Sequence, residues 1–182
     1  MGDQFQSVVD PDASEVEAPA LAEKLLQWFI NEGIVSPERS DCVLGDSGYA
    51  PGRFHCKAIG SENQHLLRLR TNGLEVVSTH TVFHNGGLGF ELVCESCGGS
   101  FDPPQGAWGD AVGEWYDRSG PGLLACPGCQ AVRAITKWRH APPFGFANLG
   151  FTFWNWPSLL ESFIGEISER LGHNVTVVVG KV

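Results

Sequence analysis

The chain has 182 residues, 42% of them hydrophobic and 18% charged, with a formal net charge of −9. That length and balance suit one globular domain, or one domain carrying an inserted module, with enough chain to bury a core. No apolar run approaches the ~18 to 20 residues that cross a bilayer, so no membrane partner is expected. The amino terminus also lacks the basic residues and apolar stretch of a secretion signal. A cytoplasmic setting is therefore the expectation, and it would keep the six cysteines reduced. Charge is uneven: residues 1–46 hold ten acidic groups against Lys24 and Arg39, a net of −8, while the rest of the chain stands at −1. This disfavours non-specific attraction to phosphate backbones and suits a basic protein partner or simple solubility.

Residues 1–18 read as a flexible acidic tail, dominated by Asp, Ser, Glu and Pro, whose few apolar groups do not offset the entropy of ordering it. From Pro19 or Ala20 a helix is predicted. Leu21, Leu25, Trp28 and Phe29 share one face, widened by Leu26 and Ile30. Gly33 supplies a C-terminal cap, with Ile34 able to fold back on the last turn and Pro37 blocking continuation.

Residues 35–63 carry loop chemistry, with Cys42–Leu44 a short buried piece and Arg53–Ile59 a predicted strand. Cys42 and Cys56 have the wrong spacing for a metal knuckle and read as core thiols. His55, next to Cys56, would point to the opposite face of a strand and so could not activate it. Asn72-Gly73 then predicts a hairpin between 65–71 and 74–83, and Asn85-Gly86 leads into 88–93, giving three antiparallel strands. His80 and His84 within this region read as hydrogen-bonded surface groups.

The third strand runs into Cys94-Glu-Ser-Cys97, and after 28 intervening residues comes Cys126-Pro-Gly-Cys129. Two Cys-x-x-Cys turns can each wrap one side of an ion and together complete a tetrahedron of sulfur. Gly98 fits the left-handed position that closes a knuckle. Gly89–Val93 enters the first turn as a strand, and Ala131–Trp138 leaves the second.

In these features residues 88–138 resemble a zinc ribbon and, within the same fold group, rubredoxin. The resemblance implies one metal held by Cys94, Cys97, Cys126 and Cys129. Four thiolates suit Zn²⁺ or a single iron, and the prevalence of structural zinc in small ribbons favours zinc. Cys97-Gly-Gly-Ser-Phe-Asp-Pro103 with Cys126-Pro is similar to rubredoxin's two iron-binding turns, except that Gln130 stands where a glycine usually follows the last cysteine.

Between the pairs lies Ser100–Leu124, rich in Gly, Pro and aromatics and read as a loop. Trp108, Trp115 and Tyr116 on it form the expected partner-binding surface, since aromatics give large contact area at low conformational cost. Beyond the second pair, Arg133, Lys137 and Arg139 are interleaved with Trp138, a pattern that can hold single-stranded nucleic acid by phosphate contact and stacking.

The last part, from Phe144 to Trp156, is dense in aromatic core residues. Pro157 and a Ser158/Glu161 capping box start a predicted helix with a stripe of Leu160, Phe163, Ile164, Ile167 and Leu171, ended by Gly172. Asn174–Val179 then returns as a buried strand, and strand, helix and strand in this order predict a parallel crossover.

The predicted fold is α+β: a mixed, mainly antiparallel sheet with two packed helices. Residues 19–87 and 139–182 form one domain, and the four-cysteine ribbon, 88–138, is inserted in it. No catalytic constellation is recognisable, so an enzyme is not expected. The leading functional reading is a zinc-stabilised protein-interaction module, an adaptor or an inhibitor of a cognate partner. A nucleic-acid-binding ribbon and rubredoxin-like electron transfer are the alternatives.

Overall fold

The computed structural model describes residues 2–182; Met1 lies outside the described part. The class is α+β, with helices on antiparallel sheets. The first half holds β1 (Gln4–Asp10), α1 (Ala18–Asn31), β2 (Val35–Ser40), β3 (Gly48–Pro51), the single-turn α2 (Cys56–Ile59), β4 (Leu74–Val77) and β5 (Thr81–Phe83). The cysteine-bearing part follows with β6 (Glu91–Val93), β7 (Ser100–Phe101), α3 (Gln105–Tyr116), β8 (Leu123–Ala125) and β9 (Val132–Ala134). The chain closes through β10 (Arg139–Ala141), β11 (Gly145–Ala147), β12 (Leu149–Trp154), α4 (Glu161–Leu171) and β13 (Thr176–Lys181).

The main sheet has six strands in the order β13-β1-β12-β4-β3-β2. Part of the expected tail is thus a central strand, β1, bonded on one side to β12 and on the other to β13. Its side chains alternate. Val8 faces the helices opposite Phe151, while Phe5, Ser7 and Val9 face the other way, with Phe5 opposite Trp154 and Ser7 bonded to Thr152 at 2.7 Å. Val8 and Val9 are fully buried, so burial between two late strands supplies what local composition does not. The connection to α1 is ordered as well: Asp10 accepts the amides of Asp12 and Ala13, and Ser14 with Glu17 forms a reciprocal cap.

α1 and α4 cover one face of this sheet. Phe29 meets Phe151, Phe153 and Phe163 at centroid distances of 5.7 to 6.0 Å, the centre of the main core. Each such ring, buried, contributes roughly 1.5–3 kcal/mol of transfer free energy. The α1 terminus follows the sequence: Gly33 is left-handed at φ 66°, and the Ile34 amide bonds back to the Phe29 carbonyl. α4 ends at Gly172 as predicted but begins only at Glu161, without the Ser158 cap, because the amides of Leu159 and Leu160 bond to Gln6 and Ala58 instead.

Two topological expectations are corrected. The Asn72-Gly73 hairpin does not form: both amides donate to the Cys42 carbonyl, the Asn72 carbonyl accepts the Trp156 indole N–H at 2.7 Å, and residues 66–68 form a 3-10 turn. Glycine is needed at 73 for space, since a Cβ there would lie 2.2 Å from the Cys42 sulfur. β4, β5 and β6 accordingly pair with β12 and β3, with β11, and with β10 and β7, rather than with one another. The crossover β12–α4–β13 exists with its two strands parallel, yet β1 lies between them and β13 occupies the sheet edge, so every observed pairing is antiparallel. Arg53–Ile59, predicted as a strand, contains α2.

The cysteine-bearing part grows out of this body through ladders. β6 pairs with β10, β5 with β11, and β11 runs almost directly into β12. A second hydrophobic cluster lies there, built from Leu92, Ala111, Leu124, Ile135, Trp138, Phe146 and the first cysteine of each pair.

Candidate metal centre

Each Cys-x-x-Cys sits in the turn of a short antiparallel hairpin, and the two turns are built alike. In the first, between β6 and β7, the Cys94 amide bonds to the Gly99 carbonyl at 2.9 Å and the Gly98 amide to the Cys94 carbonyl at 2.8 Å. In the second, between β8 and β9, the Cys126 amide bonds to Ala131 and the Gln130 amide to Cys126, both at 2.9 Å. The closing residue is left-handed in both, Gly98 at φ 71° and Gln130 at φ 60°. Gln130 therefore adopts the glycine conformation despite its Cβ, at a cost of roughly 1 kcal/mol.

The four sulfurs converge, all within 4.8 Å of one another, with Cys94 to Cys129 at 3.7 Å and Cys97 to Cys126 at 3.9 Å. None is disulfide-bonded. A tetrahedral ion with bonds of about 2.3 Å to sulfur has edges of about 3.8 Å, so the spacing fits one four-coordinate metal. Cys94 and Cys126 are buried and Cys97 and Cys129 are exposed, which gives the site an apolar floor and a solvent-facing rim.

The donor chemistry agrees. Amides of the first knuckle, chiefly that of Cys97, aim at the Cys94 sulfur and bring its thiol down to about 6. At Cys129 the Ala131 amide favours the thiolate, but desolvation and the crowding of three neighbouring sulfurs outweigh it and hold the thiol up, at about 11. Four sulfurs this close cannot all carry charge without a cation among them. Among the described residues no other cluster of cysteine, histidine and carboxylate groups has ligating geometry. Cys42 is a buried thiol, and His80 and His84 stand apart from the cluster.

The other predicted site residues are placed differently. Trp108, Trp115 and Tyr116 belong to α3, a helix rather than a loop. Trp108 packs among Phe90, His140 and Phe144, and Trp115 stacks on His80 at 3.8 Å and meets Phe146 edge-on. Only Tyr116 is mainly exposed. Trp108, Ala111, Val112 and Trp115 form the helix's packed stripe, a spacing visible in the sequence beneath the distraction of Gly106, Gly109 and Gly113.

Of the basic set, Arg133 ties the second hairpin to the first knuckle, donating to Glu95 at 2.9 Å and to Ser96 at 2.9 Å. Trp138 is 5% exposed, edge-on to Phe101, and is not presented for stacking. Lys137 and Arg139 remain exposed.

Two groups hold the cysteine part against the body: His80, expected from sequence to be hydrogen-bonded, and Arg118, not singled out from sequence. His80 pairs one ring nitrogen with the Trp115 carbonyl at 3.0 Å and the other with Asn148 at 3.1 Å, and Asn148 donates onward to the Ala13 carbonyl. Arg118, just past α3, pairs with Glu15 at 2.7 Å. His140 lies enclosed by Phe90, Trp108, Phe144 and Phe146, and burial alone pushes its pKa down to about 4.

No family model, curated protein or solved structure matches the chain significantly. The functional reading therefore rests on this molecule's own residues.

Proposed function

We propose that the chain is a non-catalytic protein-interaction module of the zinc-ribbon kind, holding one structural Zn²⁺ through Cys94, Cys97, Cys126 and Cys129 and acting as an adaptor or as an inhibitor of a cognate partner. The observation that carries this reading is the outer face of the β8–β9 hairpin. Leu123 lies opposite Ala134 and Ala125 opposite Val132, so the four share one face, while Leu124 points into the core. Leu123 and Val132 are 56% and 58% exposed. An apolar face on a two-stranded hairpin, set beside a metal knuckle, is the kind of surface that docks another protein.

Several features support the remainder. Four thiolates leave no open coordination position, which disfavours hydrolysis at the metal and suits a structural ion. His55 engages both ring nitrogens in backbone bonds, to Gly52 and Asn63, so it offers no base to Cys56. The contact surface moves from the packed Trp108 and Trp115 to Leu123 and Val132, with Tyr116 the exposed aromatic. A nucleic-acid ribbon would have to rely on Lys137 and Arg139, and rubredoxin-like electron transfer requires iron in the same four sulfurs.

The test is affinity purification from the native host with nuclease treatment and metal quantification. A colourless protein with about one zinc and one stoichiometric protein partner is expected, and the Leu123→Glu/Val132→Glu variant should lose that partner while keeping the metal. Retention of the partner by the variant overturns the docking face. Companions that vanish on nuclease treatment favour nucleic acid, and a coloured iron protein favours electron transfer.

A further inference from the structure

The cysteine-bearing part and the end of the main sheet enclose a cleft of about 600 Å³, within the range of about 300–1,000 Å³ typical of small-molecule sites. One wall is Lys137 and Arg139. They share a face because Trp138 between them turns inward to the second core, and neither makes an ion pair among the described residues. Trp115 and Phe144 supply aromatic surface, and Asp12 lies on the main-sheet side. In a chain of net charge −9, two adjacent cations with no ion-pair partner in a concave site are a selective feature.

We infer that this cleft binds a small phosphate monoester bearing a planar ring, a nucleoside monophosphate in class. Two neighbouring cations match a group carrying about −1.5 to −2 charges better than a single carboxylate. A guanidinium beside an ammonium combines bidentate and point-charge recognition of phosphate oxygens. The ring lies against Trp115 and Phe144, where stacking is tolerant of base identity, and Asp12 accepts an N–H of the base. The site does not depend on the docking face, whose residues are on β8 and β9 and do not line the cleft.

Calorimetric titration of the full chain with the four common nucleoside monophosphates, adenosine, inorganic phosphate and indole-3-acetate at low salt tests this. At least one monophosphate should bind saturably at a single site, with adenosine and inorganic phosphate each tenfold weaker or more. Lys137→Gln and Arg139→Gln should each weaken binding about tenfold, in proteins whose circular dichroism is unchanged, and amide shifts should map to residues 136–148. Failure of all four monophosphates to bind at millimolar concentration overturns the inference. So does binding indifferent to both substitutions, or preference for the carboxylate.

Discussion

The two largest hydrophobic clusters among the described residues are unequal. Beneath the main sheet, 21 buried residues form one cluster centred on Phe29, Phe151, Phe153 and Phe163; the cysteine-bearing part has eight, and two of those are Cys94 and Cys126. The first is large enough to fold by burial. The second has strands of two or three residues and a helix with three glycines, each interior glycine costing about 0.5–1 kcal/mol relative to alanine. A unit so small usually needs a metal or a disulfide to be stable, and converging thiols stand where that staple belongs.

The largest expected effect tests this division. Cys94→Ser or Cys126→Ser should bring bound metal from about one ion per chain to near none, because metal binding and folding are a single process in such sites. Hydrogen exchange should show amides of 91–134 losing protection while those of β1, β12 and α1 keep theirs. If protection were lost in both regions together, the metal would be holding the whole molecule and the division would fail. Phe153→Ala works from the other side: a fully buried ring removed at the centre of the main core should cost about 3–5 kcal/mol. The urea midpoint of the sheet should drop while metal content without denaturant stays unchanged.

His140 separates the regions by pH. Its ring titrates near pH 4 in the folded chain against 6.5 ordinarily, so between those values the unfolded chain binds more protons and stability falls as the pH is lowered. The full difference is of order 3 kcal/mol. His140→Leu also removes a buried Nε2 that has no partner. The gap between wild type and variant, followed by denaturation from pH 7 to pH 4.5, should shift against the wild type; a constant gap would show that the ring does not remain neutral. A smaller effect is expected at the second knuckle. Gln130→Gly should stabilise the cysteine part by about 1 kcal/mol and Gly98→Ala should weaken it by a similar amount, read as resistance of the bound metal to a chelator.

What the sequence made legible follows from how local each signal is. α1 was readable because Leu25, Phe29, Gly33 and Ile34 fall within three turns, and the ligand set because each knuckle closes within six residues. β1 was not, since Val8 is buried by Phe151 and Val177, more than 140 positions away. At Asn72-Gly73 a strong local hairpin signal lost to Trp156 and Cys42, whose bonds to it form only in the folded chain. α3 was hidden by its glycines, although Trp108, Ala111 and Trp115 carried its period. At the site, the cysteines were visible, but the basic stretch read as one surface is divided in space. Arg133 ties the two knuckles together, Trp138 packs into the second core at the floor of the cleft, and Lys137 and Arg139 are the two of the set that bring positive charge to it.

The smallest effect returns to the main sheet and has the opposite sign from His140. His173 donates from Nδ1 to the Asp10 carboxylate at 2.8 Å, and that bond, with nearby acidic groups, raises its pKa above the usual 6.5. Asp10 is fully buried and also holds the amides of Asp12 and Ala13, so the pair fastens the end of β1 to the turn after α4. Because the folded pKa lies above the unfolded one, the contribution is complete below about pH 6.5 and is lost as pH rises through the folded value. The gap in melting temperature between wild type and His173→Gln should therefore be wider at pH 6 than at pH 9. A gap that stayed constant, or widened toward alkaline pH, would mean that the imidazole holds Asp10 as a neutral donor and carries no charge there.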